Sequence, residues 1–211
     1  MKRFFLASRV HNDDTVRKLK EYVGGFAGKK IAYIPTASNG ENDWEYWKEK
    51  EDGTWRFAHT LGAQVESVVL EDYRDESVIQ KLEGSDILWF AGGMAGYLAY
   101  WMRRCSLDIH LPKILEKGAV YVGSSAGAMV AGKSLQLSGL REVDGERGSE
   151  DIKPMGFVDF DILPHHDEKY LPEIKKRYKK GRLYLLKDGE EIIVEDGKIT
   201  VIGEERIIEN G

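Results

Sequence analysis

The segment Ala119-Val120-Tyr121-Val122-Gly123-Ser124-Ser125-Ala126-Gly127-Ala128-Met129-Val130-Ala131 runs from an apolar strand, through a glycine-flanked serine, into a helix former. Gly123-Ser124-Ser125-Ala126-Gly127 is G-x-S-x-G between a strand and a helix, the setting a nucleophile elbow requires. Such a turn is so sharp that only small residues fit around the central serine, and positions 123, 126 and 127 supply glycine or alanine. The turn would lift the Ser125 hydroxyl above the carboxyl end of a strand. It would aim the Ala126 N–H at the same space, as one donor of an oxyanion hole. A glycine- and serine-rich turn without chemistry has the same pentapeptide, so the surrounding chain must discriminate.

Outward from this segment, strand-like runs recur at 3–7, 30–35, 64–70, 86–91 and 119–123. Helix-like segments separate them at 13–22, 43–61, 75–82 and 95–117, the last in two pieces broken near Pro112. Ile31-Ala32-Tyr33-Ile34 and Ile87-Leu88-Trp89-Phe90 are apolar throughout, as expected of strands covered on both faces in a parallel sheet. The alternation predicts an α/β fold with a doubly wound, mostly parallel sheet flanked by helices. In such folds sites form beyond the carboxyl ends of strands, where 35–38, 91–94 and 123–125 should meet.

The pattern changes after the elbow. Segments 134–138 and 158–163 read as strands joined by the charged stretch 141–153, and 168–180 reads as a basic, solvent-facing helix. Short strands follow at 183–186, 191–194, 198–202 and 206–208. Asp188-Gly189 and Asp196-Gly197 punctuate them as hairpin turns. These elements predict a small antiparallel C-terminal extension packed on the main sheet, within one domain spanning 1–211.

Composition bounds the function. The chain has 211 residues, 42% hydrophobic and 32% charged, with a net charge of −5. Mild acidity argues against a nucleic-acid or anionic-membrane binder. No apolar run approaches the ~20 residues of a membrane span. The N-terminal apolar run is too short for a signal peptide and reads as the first strand. Cys105 is the only cysteine, which fits a reducing, cytoplasmic setting, and it lacks the glycine elbow of a nucleophile. Trp44, Trp47 and Trp55 fall in one helical region, as core or as the interface of a homodimer.

A serine nucleophile needs a base, and the base needs an orienting group. Of the five histidines, His165 and His166 follow Asp161-Ile162-Leu163-Pro164 at the end of an apolar strand. Pro164 stops the ladder, so His165 should project from the strand end as the base. A second oxyanion donor should come from Gly92 or Gly93, just after the run 87–90.

Together these residues carry a resemblance. Ile31-Ala32-Tyr33-Ile34-Pro35-Thr36-Ala37-Ser38, Trp89-Phe90-Ala91-Gly92-Gly93, Gly123-Ser124-Ser125-Ala126-Gly127-Ala128 and Leu163-Pro164-His165 resemble, in order and spacing, the peptidase E (aspartyl dipeptidase) family of serine peptidases and its cyanophycinase-like relatives. The resemblance implies a fold like that of class I glutamine amidotransferases, with serine where those have cysteine. It implies cleavage of short peptides, typically dipeptides with N-terminal aspartate, without metal or cofactor. Ser125 would be nucleophile and His165 base, with the N–H groups of Ala126 and of Gly92 or Gly93 holding the oxyanion. The family's acid lies between serine and histidine, which here points to Glu142 or Asp144. Where the family has Gly-Gly-Gly-Asn, then Thr and an aromatic residue, this chain has Ala91-Gly92-Gly93-Met94-Ala95-Gly96. If position 94 lines the pocket, that change should weaken selectivity for aspartate. It also motivates a second reading, a catalytically silent relative acting as a binding or assembly module. Amidotransferase chemistry would need cysteine in place of Ser125. For an acidic N-terminal residue, Arg9, Arg103, Arg141 and Arg147 are the candidate clamps.

Overall fold

The computed structural model describes residues 1–11, 13–41, 45–49, 53–140 and 151–211. The chain begins β1 (Arg3–Ala7), α1 (Asp13–Val23), β2 (Lys30–Ile34), α2 (Thr36–Asn39), α3 (Tyr46–Glu49), α4 (Thr54–His59), β3 (Gln64–Ser67) and α5 (Leu70–Tyr73). A 3-10 turn leads to α6 (Ile79–Leu82), β4 (Ile87–Phe90), α7 (Ala95–Arg104), α8 (Leu107–Glu116), β5 (Val120–Ser124) and α9 (Ala126–Met129). Then come β6 (Asp161–Leu163), α10 (Leu171–Arg177), β7 (Gly181–Leu185), β8 (Glu191–Glu195), β9 (Lys198–Ile202) and β10 (Ile207–Asn210).

Seven strands form the main sheet in the order β3-β2-β4-β5-β1-β8-β9. The first five in that order are parallel, β8 pairs antiparallel with β1, and β9 pairs antiparallel with β8. Successive side chains of a strand point to opposite faces, and here both faces are covered. Phe4, Leu6, Ala32, Ile34, Leu88 and Phe90 feed one core. Phe5, Ala7, Ile31, Tyr33, Ile87 and Trp89 feed the other. This double burial explains why the early strands are apolar without alternation. A second sheet, β10-β7-β6, packs over its own cluster of Leu137, Leu163, Ile174, Tyr178, Leu183 and Leu185.

Several local expectations are corrected. The helical break falls at Ser106, whose backbone is left-handed at φ 58°, and not near Pro112. Pro112 sits inside α8. The missing N–H is tolerated because Leu107, Leu111, Ile114 and Leu115 bury one face of that helix. Residues 134–138 form no strand and turn from 136 on, because the buried Asp161 carboxylate captures the amides of Lys133 (2.7 Å) and Ser134 (2.8 Å). For 158–163, only Asp161–Leu163 is strand. The basic helix shortens to Leu171–Arg177 after a 3-10 turn. Asp196-Gly197 does turn a hairpin, between β8 and β9, with φ 46° and 86°. Asp188-Gly189 does not, since β7 and β8 lie in different sheets. Trp47 is core and hydrogen-bonds Asn39, Trp55 packs against the same cluster, and Trp44 lies outside the described residues.

The elbow is built by close approach. A Cβ on Gly127 would stand 2.2 Å from the Phe90 carbonyl oxygen, and one on Gly123 would stand 2.5 Å from that of Gly127. Both obstacles are backbone and cannot swing aside. Gly127→Ala should therefore cost about 4 kcal/mol or more. Gly62→Ala, at φ +79° in open space, should cost only about 1–2 kcal/mol. Urea unfolding midpoints of the two variants measure the contrast, and equal shifts would refute the backbone clash.

Candidate active site

Ser125 lies between β5 and α9 with φ 52° and ψ −111°, a conformation L-residues rarely adopt. Its N–H donates to Ala7 O (3.1 Å), which pins the elbow to the end of β1. The strain lifts the hydroxyl out of the sheet. Ser124, its neighbour, is buried, and its Oγ accepts from Val10 N (3.0 Å). The two adjacent serines thus have separate tasks, one facing the cleft and one fastening the chain beyond β1.

His165 projects after Pro164 with its own left-handed backbone, φ 54°. Its Nε2 is 2.9 Å from Ser125 Oγ. Its Nδ1 is 2.6 Å from Asp188 Oδ1. A carboxylate can only accept, so Nδ1 carries the proton and the Nε2 lone pair faces the serine hydroxyl. The His165 imidazole and the Ser8 hydroxyl at Asp188, together with the nearby Arg9 charge, hold its carboxyl down at about 2 against the partial desolvation that opposes them. Asp188 therefore stays ionised through the neutral and mildly acid range. His166 takes no part in this contact. Its amide donates to Leu186 O (2.9 Å), and its buried ring faces Glu168 (3.3 Å).

The glycine turn after β4 completes the site. A Cβ on Gly92 would stand 3.3 Å from Ser125 Cβ, so only hydrogen separates that backbone from the serine. Gly93, at φ 136°, passes against Ala37, where a Cβ would fall 2.2 Å from the carbonyl oxygen. Ser38 Oγ donates to Gly92 O (2.8 Å) and fixes the turn. Among the described residues, the amides of Gly92 and Gly93 make no hydrogen bond. The Ala126 amide opens α9, where helical geometry offers it no partner. The Gly92 backbone and the first turn of α9 thus flank Ser125.

These groups line a cleft of about 510 Å³ that Arg9, Glu41, Trp55, Leu140 and Tyr170 also border. Among the described residues, Arg9 is the one arginine or lysine lining it. Arg103 is committed elsewhere, to Lys153 O, Pro154 O and Asp108. Arg141 and Arg147 lie outside the described residues. Met94 does not line the cleft. It caps α7, near Gly40 and beside Tyr97. Met94 therefore cannot weaken selectivity for aspartate by lining the pocket. Cys105 is buried, and desolvation pushes its thiol up to about 11, far from a thiolate nucleophile.

Glu142 and Asp144, expected as the orienting acid, lie outside the described residues. Among the described residues, the carboxylate at the imidazole is Asp188, which the sequence suggested as part of a hairpin turn. The pairing of β6 with β7 explains its place. Leu163 is in register with Leu185 in a parallel ladder, so both chains leave the sheet at the same end and His165 meets Asp188. Lys18 secures the turn by donating to Gly189 O (3.0 Å) while paired with the buried Glu191. The available signal was an acid beyond a strand end downstream of the histidine, and it becomes readable only with the β6–β7 pairing.

Solved structures of other proteins share this architecture. Peptidase family S51 matches residues 4–202. An uncharacterized peptidase of Listeria monocytogenes is 25% identical over 202 residues, covering 92% of this chain and 95% of that protein. Peptidase E of Pasteurella multocida is 28% identical over 62% of this chain and 54% of its own length. A crystal structure of a Listeria monocytogenes EGD-e protein assigned to peptidase E superposes with a TM-score of 0.78 at 24% identity, covering 96% of this chain and 98% of that one. A peptidase from an acI-B1 Actinobacterium superposes at 0.71, with 17% identity over 100% and 95% of the two chains.

The contact of Asp188 with the imidazole sets an expectation for each acid. Asp188→Asn should slow fluorophosphonate labelling of Ser125 by at least about a hundredfold, because an amide would favour the wrong imidazole tautomer. Glu142→Ala and Asp144→Ala should label at nearly the wild-type rate. Rapid labelling of Asp188→Asn, with loss in either of the other two, would reverse the assignment.

Proposed function

This chain belongs to peptidase family S51, and from that membership we propose that it hydrolyses short peptides through a Ser125–His165–Asp188 triad. The observation that carries the reading is the continuous chain of contacts from Ser125 Oγ to His165 Nε2 (2.9 Å) and from His165 Nδ1 to Asp188 (2.6 Å). His165 takes the proton as Ser125 Oγ attacks the scissile carbonyl carbon. The carbonyl oxygen becomes an oxyanion facing the amides of Ala126 and of Gly92 or Gly93, each such donor contributing ~3 kcal/mol in comparable sites. His165 then passes the proton to the leaving amine, and the acyl-enzyme forms. Water, deprotonated by the same imidazole, releases the acid product. Asp188 holds the imidazole in the required tautomer throughout.

The silent-relative reading took its best support from Met94-Ala95-Gly96, of which Ala95 lines the cleft and Met94 stands outside it. For substrate, Arg9 is the one arginine or lysine on the cleft among the described residues, beside aromatic, acidic, hydroxyl and aliphatic side chains. A guanidinium so placed suits a peptide carrying a carboxylate close to the scissile bond, including one with N-terminal aspartate.

Two expectations test this function. Ser125→Ala and His165→Ala should abolish fluorophosphonate labelling and dipeptide turnover with the fold intact, while Ser124→Ala should keep measurable activity. Equal loss at Ser124 and Ser125 would sink the nucleophile assignment. In a dipeptide screen, Arg9→Met should raise KM for acidic substrates by about tenfold or more, with kcat little changed, as for one lost charge-assisted contact. An unchanged KM for every acidic dipeptide would remove Arg9 from recognition.

A further inference from the structure

The first strand ends beside the triad, and the residue after it is fully buried. Ser8 has no exposed surface and does not line the cleft, so it cannot touch substrate. Its amide and its hydroxyl are both engaged. The amide donates to Glu190 O (3.1 Å). The hydroxyl oxygen accepts from His165 N (2.8 Å). The hydroxyl also lies 2.8 Å from Asp188 Oδ1.

The direction of these bonds is fixed by chemistry. The His165 amide can only donate, and the Asp188 carboxylate can only accept. The Ser8 proton is therefore committed to Asp188 and the hydroxyl is not a free rotor. A closed ring results. It runs from the His165 amide to Ser8 Oγ, to Asp188 Oδ1, to His165 Nδ1, and back through the histidine side chain to its own backbone. The ring ties the imidazole to a backbone held at φ 54°, a conformation that needs support from its surroundings. Asp188 is half exposed and cannot be held in place by packing.

We propose that Ser8 is a positioning residue of this site, whose hydroxyl sets the Asp188 carboxylate and, through it, the angle at which His165 meets Ser125. The proposal rests on the serine-hydrolase reading for its catalytic consequence, but the ring itself can be observed without turnover. Ser8 acts through Asp188, so its removal should slow the chemical step and leave binding alone.

The test is a double-mutant cycle on the full chain, with a fluorophosphonate as the probe. Ser8→Ala should lower the maximal inactivation rate roughly 10- to 100-fold, the range for one hydrogen bond to a charged group. The probe's KI should stay unchanged. In an Asp188→Ala background the same substitution should have almost no further effect. A full-speed Ser8→Ala variant, or a loss of equal size in both backgrounds, overturns the proposal. Should Ser8→Ala fail to fold, Ser8→Cys keeps the volume while weakening the hydrogen bond and carries the same comparison. Proton NMR supplies the independent readout. The low-field His165 Nδ1–H resonance expected of the wild type should move or broaden in the Ser8 variant, and an identical resonance counts against the ring. If the wild type never labels, the hydrolase reading fails, and the resonance alone still decides the place of Ser8.

Discussion

The candidate site depends on a single backbone conformation, that of Ser125 at φ 52° and ψ −111°. A serine does not remain there unaided. It is held by the close approach of Gly127 to Phe90 and by the bond from Ser125 N to Ala7 O. Both supports come from the sheet. β5 lies between β4 and β1, so the elbow is clamped by the strands on either side of it. The glycine turn after β4 supplies Gly92 on one flank, and the end of β1 supplies Ser8, Arg9 and Val10 on the other. Strain at one residue is thus offset by packing and hydrogen bonds distributed over three parallel strands.

His165 and Asp188 come from the other sheet. β6 and β7 run parallel and end together, and their exits deliver His165 and Asp188. The chain then crosses from β7 into β8, which pairs antiparallel with β1. That crossing is the Asp188-Gly189 turn. It brings Glu190 O to Ser8 N and so returns the second sheet's contribution to the end of β1. The site is the junction of two sheets, and the turn that joins them carries the acid.

The sequence shows the first half of this arrangement well and the second half poorly. Strands apolar on both faces announce a covered parallel sheet, and β1 through β5 appear close to where the pattern places them. The elbow is local in sequence, so its small residues can be read directly. His165 is legible for the same reason, since Pro164 marks its strand exit. The position of Asp188 is a matter of tertiary pairing. β6 has only three residues, and a ladder that short leaves little periodicity to read. Asp-Gly is a genuine turn signal at both positions where it occurs, but the dipeptide does not say whether the flanking strands share a sheet. At 196 they do, and at 188 they do not.

The exposure of Asp188 constrains how it can serve His165. A deeply buried carboxylate would stabilise an imidazolium through a low local dielectric. Here 48% of the Asp188 side chain is open to solvent, so water screens its field on the imidazole. Its contribution must rest on orientation, on a 2.6 Å bond that selects one tautomer and one ring angle. Orientation demands rigidity in the acid itself, and packing cannot supply it to a half-exposed side chain. The rigidity comes from hydrogen bonds. Ser8 holds the carboxylate, and Lys18 holds the turn through Gly189. Both anchors sit on the β1–α1 unit that also fixes the elbow through Ala7. Ser125 and Asp188 are therefore referenced to the same short piece of chain, which keeps their separation constant even though they lie 63 residues apart in sequence.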